Sequence, residues 1–196
     1  RPRTGGVEGP ATGWVPASKP IWLTEIGCPA IDKGANAPNT FPDPKSSESA
    51  VPPFSGGGRD DLMQARHLEA ALDHFVPGSP GFADAGNPLS PVYGGRMVDP
   101  QRIFLWAWDA RPYPAFPHLA SVWGDSRNWA LGHWLNGRIE GMPLDRLIAA
   151  IAADFSLPPP DVAGVEGFID GYVIDRPMSA RAALEPLERL FGLDAG

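Results

Sequence analysis

Glu25 stands where an apolar run stops. In KPIWLTEIGCPA, Lys19 to Ala30, Ile21-Trp22-Leu23 leads into Thr24, a single carboxylate and then Gly27. A second apolar run, RIFLWAWD, ends in Trp106, Trp108 and Asp109. A carboxylate can attack an anomeric carbon or exchange a proton with a glycosidic oxygen, and indole faces stack on the apolar faces of pyranose rings. Carboxylates and tryptophans at strand ends therefore fit sugar binding or glycoside hydrolysis. They fit plain architecture too: a strand-end Glu often caps a helix or pairs with an Arg, and Trp is common core material. Spacing alone leaves both readings open.

The elements that must position these residues are a strand over Ile21–Thr24, a helix in RDDLMQARHLEAALDHF and a strand over Arg102–Asp109. Leu62, Ala65, Leu68, Leu72 and Phe75 share one face at helical spacing. Asp60 and Asp61 sit where they supply a cap and suit the helix dipole. Both strands are apolar on consecutive positions, as expected for strands buried on both faces of a parallel sheet. Strand, helix and strand in this order predict a parallel βα crossover, whose carboxyl ends and following loops build active sites. The SGGG before the helix reads as a flexible joint, because the two aspartates after it would repel a phosphate.

The rest of the composition narrows the classes. The 196 residues carry a net charge of -7 with Lys and Arg scattered, which argues against nucleic acid or an anionic membrane as partner. No apolar run approaches a membrane span. The single Cys28 excludes an intrachain disulfide or a Cys-rich metal site and reads as a small apolar residue. His118 and His133 lie apart from other ligand types, so no metal or cofactor is expected. The opening RPRTGGVEGPATGWVPASKP reads as loop, and Arg1 is not expected to be a native start. The 24 prolines and 23 glycines gather in long connections, Pro29–Gly58, Pro77–Pro100 and Arg111–Pro117, where function or interfaces usually reside.

TEIGCPA, DPKSSES, LWAWDARP and VWGDSRNWALGHWLNGR resemble the large tail-tip (baseplate hub) protein of alphaproteobacterial gene transfer agents and related phages. The resemblance implies a glycoside-hydrolase-like TIM barrel followed by phage tail hub domains. The fold class is then α/β: residues 1–140 as the C-terminal portion of a (β/α)8 barrel, its last two strands and helices, and 141–196 as the start of a small α+β hub domain. It implies that Glu25, in Thr24-Glu25-Ile26-Gly27, inherits the position of the catalytic nucleophile. Trp106 or Trp108 inherits the floor of the sugar site, with Asp109 a weaker candidate for a second carboxylate. The strand bearing the acid/base would precede Arg1, which leaves activity undecided. The implied partners are other tail proteins, a host surface polysaccharide and further copies of the chain as a trimer. The implied location is the tip of a virion-like particle made in the bacterial cytoplasm.

Trp123, Trp129 and Trp134 are expected to pack in a closing helical region. Beyond it, Leu144 opens a helix with Leu147, Ile148, Ile151 and Phe155 on its apolar face, stopped by Pro158-Pro159-Pro160. VEGFIDGYVID alternates like a strand. SARAALEPLERLFG begins at Ser179 as N-cap, buries Leu184, Leu187, Leu190 and Phe191, and ends at Gly192, with Pro186 expected to kink or split it.

Overall fold

The computed structural model describes residues 3–138 and 141–194. The chain divides into two compact units, Arg1–Ile26 with Ala70–Phe104, and Gly27–Glu69 with Leu105–Gly196. The strands are β1 (Arg3–Thr4), β2 (Val7–Glu8), β3 (Ile21–Ile26), β4 (Val98–Leu105), β5 (Met142–Pro143) and β6 (Phe168–Ile169). The α-helices are α1 (Asp61–Phe75), α2 (Ala115–His118), α3 (Leu144–Asp154) and α4 (Ala180–Phe191). Helix and strand are mixed, and among the described residues the strands pair only as β1–β2, β3–β4 and β5–β6. A continuous barrel sheet is not seen among them.

In the first unit, the opening segment is more than loop. β1 and β2 form an antiparallel hairpin, with Arg3 opposite Glu8 and Thr4 opposite Val7. Gly5 and Gly6 turn it with φ of 58° and 82°, the doubly left-handed turn that a Gly-Gly pair adopts without a Cβ penalty. β3 runs two residues past the expected end, so Glu25 is inside the strand. β4 starts upstream of the expected Arg102 and stops before Trp106. The buried side chain of Asn87 explains the early start. Its Nδ2 donates to the Phe75 and Val98 carbonyls, and its Oδ1 accepts from the Val98 N–H, each at 2.8 Å. One amide thus replaces a strand neighbour for Val98. The Ile21 N–H donates to the Met97 carbonyl at 2.8 Å. β3 and β4 therefore meet at their beginnings, which is the register of a parallel pair. The expected burial on both faces is not found: Ile21 is 48% and Trp22 54% exposed. Among the described residues each strand has a single neighbour, and the guanidinium of Arg102 lies over the Trp22 ring at 5.3 Å.

In the second unit, Ile31 pairs with Arg59, and the Asp60 N–H donates to the Ala30 carbonyl at 2.9 Å. Asp60 then caps α1 as expected, its Oδ1 accepting the Met63 N–H at 2.9 Å. Leu62, Ala65 and Leu68 are only half-buried, as are Leu72 and Phe75 later in the helix, and the fully buried residue of α1 is Gln64. Its Nε2 donates to the carbonyls of Cys28 and His133, each at 3.0 Å. A polar group can take the deepest place when it satisfies backbone oxygens there. Cys28 is buried beside it, its thiol pushed up to about 12 by burial and then by the charge of Asp60. It is inert packing.

From Met142 onward, β5 and β6 pair antiparallel, while α3 and α4 bury Leu144, Ile151, Ala183 and Leu187 against each other. Ser179 caps α4 and Gly192 ends it at φ 67°. Three expectations are corrected here. The VEGFIDGYVID strand is only Phe168–Ile169, since Gly171 and the residues after it find no strand partner. Leu190 is 72% exposed, displaced from the stripe that Ala183 and Leu187 occupy one turn apart. Pro186 does not split α4, which continues from Ala180 to Phe191 around it.

Candidate functional site

The chemistry-bearing residues fall into the two units. In the first, Glu25 is an exposed residue of β3. In the second, the chain leaves β4 through Trp106-Ala107-Trp108-Asp109. Gly27 is required here, because a Cβ on it would stand 2.4 Å from the Trp106 carbonyl oxygen. This is the physical content of the glycine that follows Thr24-Glu25-Ile26.

Trp106 is half-buried, joined to Ala107 by a cis peptide. Its ring centroid lies 3.9 Å from that of His133, and Phe41 meets His133 edge-on at 4.7 Å. The Ala107 N–H donates to the His133 carbonyl at 3.3 Å, and the Leu135 N–H returns to the Ala107 carbonyl at 3.0 Å. Both ring nitrogens of buried His133 lack a hydrogen-bond partner among the described residues. Burial, and then the charge of nearby His67, push His133 down to about 4, so the imidazole is neutral. The imidazole packs against the Trp106 ring.

Trp108, by contrast, is 65% exposed. Asp109 next to it is locked. Its Oδ1 accepts the Arg111 backbone N–H at 2.8 Å, and both carboxylate oxygens take the Arg111 guanidinium. Arg111 also donates to Asp125 at 2.8 and 3.1 Å and lies over the Phe116 ring at 3.7 Å. Arg111 beside them holds both carboxylates below the usual range, and they in turn push the guanidinium up. Asn136 clamps the same turn from the other side. Its Oδ1 accepts the Asp109 N–H at 2.7 Å and its Nδ2 donates to the Asp109 carbonyl at 2.6 Å.

Trp108, Asp109, Arg111, Tyr113 and Asn136 line one cleft of about 280 Å³. The structure therefore brings Trp108 and Asp109 together, with Trp106 packed inward behind the same turn. Arg111, Tyr113 and Asn136 were missed by sequence reasoning. The signal for Asn136 was the Asn136-Gly137 pair, a turn dipeptide with Gly137 at φ 75°. A Cβ on Gly137 would stand 2.3 Å from the Tyr113 ring, so the glycine also seats that tyrosine. The expected closing helical region is mostly irregular, with one 3-10 segment, Ser126–Ala130. Trp129 is buried as expected, its Nε1 donating to the Asn136 carbonyl at 2.9 Å.

Among the described residues no cluster of three or more His, Cys, Asp or Glu could hold a metal, and no helix is long and apolar enough to cross a membrane. No curated protein matches the chain. Residues 1–117, more than half of the chain, match the family model described as the GTA TIM-barrel-like domain, GTA standing for gene transfer agent. The chain therefore belongs to the gene transfer agent TIM-barrel-like domain family.

Proposed function

We propose that the chain is a structural component of the tail tip, or baseplate, of a phage-like gene transfer agent particle, and that its barrel-derived part contacts glycan on the host surface. In this reading residues 1–140 are the C-terminal part of the barrel, and 141–196 begin a hub-like domain that packs with other tail proteins, in a trimer as the resemblance implies. Family membership supports the particle setting. One observation carries glycan contact: Trp108 presents its indole to solvent from a turn that Arg111 and Asn136 hold rigid on both sides. A large apolar ring kept exposed on a fixed backbone is what pyranose stacking needs, and it loses little entropy on binding.

Hydrolysis is the alternative reading, favoured by exposed Glu25 alone. A retaining mechanism needs a second carboxyl group about 5–5.5 Å away with a raised pKa. Asp109, held low by Arg111, suits an anchor and not an acid. The test uses binding to host-cell polysaccharide and release of reducing ends, measured together. Trp108→Ala should weaken binding about tenfold in a folded protein, while Glu25→Gln leaves binding unchanged and no reducing ends appear with either. Unchanged binding by Trp108→Ala overturns the proposal in favour of a scaffold without sugar contact. Release of reducing ends that Glu25→Gln abolishes would establish the hydrolase instead.

A further inference from the structure

The cleft beside Trp108 has a second aromatic wall. Tyr113 is 45% exposed, and its ring is fixed by Gly137 beneath it and by Trp129 at a centroid distance of 6.1 Å and an interplanar angle of 25°. Its hydroxyl makes no hydrogen bond among the described residues, although it lines the cleft with Asp109, Arg111 and Asn136. Two exposed rings on fixed backbone, with the unbonded Tyr113 hydroxyl and the Asn136 amide that clamps Asp109 lining the same cleft, make a built recess and not a flat patch.

Its size and charge restrict what enters. A volume of about 280 Å³ falls just below the range of drug-sized sites, about 300–1,000 Å³, which suits one ring and excludes an extended chain. Arg111 is the cation at the cleft, and its Nε and both terminal nitrogens are already committed to Asp109 and Asp125. An incoming carboxylate or sulfate would meet two ionised aspartates and a guanidinium with hardly a donor to spare. The aspartates would repel it, and breaking the Arg111 pairs would strand them. A neutral ring meets neither cost. It can stack on indole and phenol, donate hydroxyls to Asp109, and exchange hydrogen bonds with Tyr113 and Asn136, each of which keeps unused capacity.

We propose that the Trp108–Tyr113 cleft is a subsite for a single uncharged pyranose, terminal or branching on a glycan, with Tyr113 and Asn136 as binding residues and acidic sugars excluded. This rests on the reading of the protein as a glycan-contacting tail component, and it specifies the sugar class.

The experiment is a ligand-observed NMR titration of the whole chain with methyl glucopyranoside, methyl galactopyranoside and, as the acidic counterpart, galacturonic acid. Saturable binding of at least one methyl glycoside is expected, with galacturonic acid at least tenfold weaker. Tyr113→Ala should weaken the glycoside about tenfold, and Tyr113→Phe, which keeps the ring, about threefold. Retained far-UV circular dichroism in Tyr113→Phe keeps the test valid should Tyr113→Ala unfold. Galacturonic acid binding as tightly as the glycosides overturns the proposal, as does glycoside binding indifferent to both Tyr113 changes. So does absence of any saturable binding. If polysaccharide binding still depends on Trp108 in any of those cases, the subsite fails while the broader glycan reading stands.

Discussion

The loop region from Leu105 to Arg138 and the segment from Met142 to Leu193 are held together by opposite means. The later segment is built on a periodic apolar stripe: Leu144 and Ile151 of α3 against Ala183 and Leu187 of α4, with half-buried Leu147, Ile148 and Phe155 around them. The loop region has only α2 and one 3-10 segment. There, side chains supply what helices and strands would have supplied. Buried Arg138 donates to the carbonyls of Trp129, Ala130 and Trp134, stacks on Trp129 at 4.0 Å and pairs with Asp61 at 2.6 Å. Asn136 and Arg111 do the same for the Asp109 turn. Irregular backbone has the same obligatory donors and acceptors as a helix, so polar side chains must be spent on it. The result is a rigid, non-repetitive surface that can carry a recess. The apolar segment uses polar side chains on its backbone more sparingly, as where the Tyr172 hydroxyl donates to the Ala183 carbonyl and Ser179 caps α4.

Removing Arg138 should break the contrast most sharply. Arg138→Met keeps much of the stem but leaves three carbonyls without their donor and Asp61, whose side chain is 8% exposed, with Arg59 alone. The expected loss is about 3 kcal/mol, since three carbonyls lose a charged donor and a largely buried carboxylate loses one of its two cations. Hydrogen exchange should accelerate around Trp129–Asn136 while amides of α3 and α4 remain protected. Uniform acceleration through both segments would mean that they do not differ in the way argued.

That difference also decides what the sequence could reveal. α3 was legible to within a residue, and so were the Ser179 and Gly192 caps of α4, because period and cap chemistry are local, whereas the exposure of Leu190 and the continuity of α4 through Pro186 were not. β3 and β4 were legible as strands, but their ends were not: Asn87 fixes the start of β4 from eleven residues away, and such a bond has no period. Trp106, Trp108 and Asp109 were legible as candidates by residue type. Arg111, Tyr113 and Asn136 were not, since their roles depend on which carbonyls and rings a folded turn happens to place beside them. Burial misled at Ile21 and Trp22 for a related reason. An apolar run announces that a strand is able to be covered, and says nothing about whether a neighbour covers it.

A smaller effect comes from pH, and it belongs to the loop region. His133 has an ordinary value of 6.5 and is pushed down to about 4 by burial and then by His67. The folded state therefore holds it neutral while the unfolded chain takes up a proton. Its contribution is fully present above pH 6.5, is lost as pH falls towards 4, and changes little below that. The loss is about 3 kcal/mol at pH 4. Asp109 and Asp125 are held below their ordinary 3.8 by Arg111, so their loss begins only at lower pH. Melting temperature measured between pH 7.5 and 3.5 should fall in this order. His133→Phe should flatten the upper part of the curve and spare the lower; an unchanged upper part would show that the imidazole is not neutral through burial.

The smallest expected effect tests the other region. Ser179 Oγ accepts the Ala182 N–H at 3.2 Å, and the Ser179 carbonyl takes the Ala183 N–H at 3.0 Å. Pro186, inside the same helix, has no N–H to give and so removes a bond that the second turn would otherwise make. The stretch from Ala180 to Glu185 is therefore short on backbone bonds, and its cap matters more than in a helix without proline. Ser179→Ala should cost about 1 kcal/mol, Ser179→Gly a few tenths, and Ser179→Asp nothing, because its carboxylate both accepts the same bond and faces the positive end of the helix dipole. Amide exchange at Ala182 and Ala183 should quicken about fivefold in the alanine variant, with no change at Arg138 or Asn136. Ala183 is buried against Leu144 and Ile151, so a cap loss that reached the far end of α4 would have to pass through that packed stripe. Exchange that quickens at Ala182 and Ala183 but stops short of Leu187 would show that apolar packing, not the cap, fixes the rest of the helix. Exchange that quickens through to Phe191 would show that the proline has left α4 hanging from Ser179.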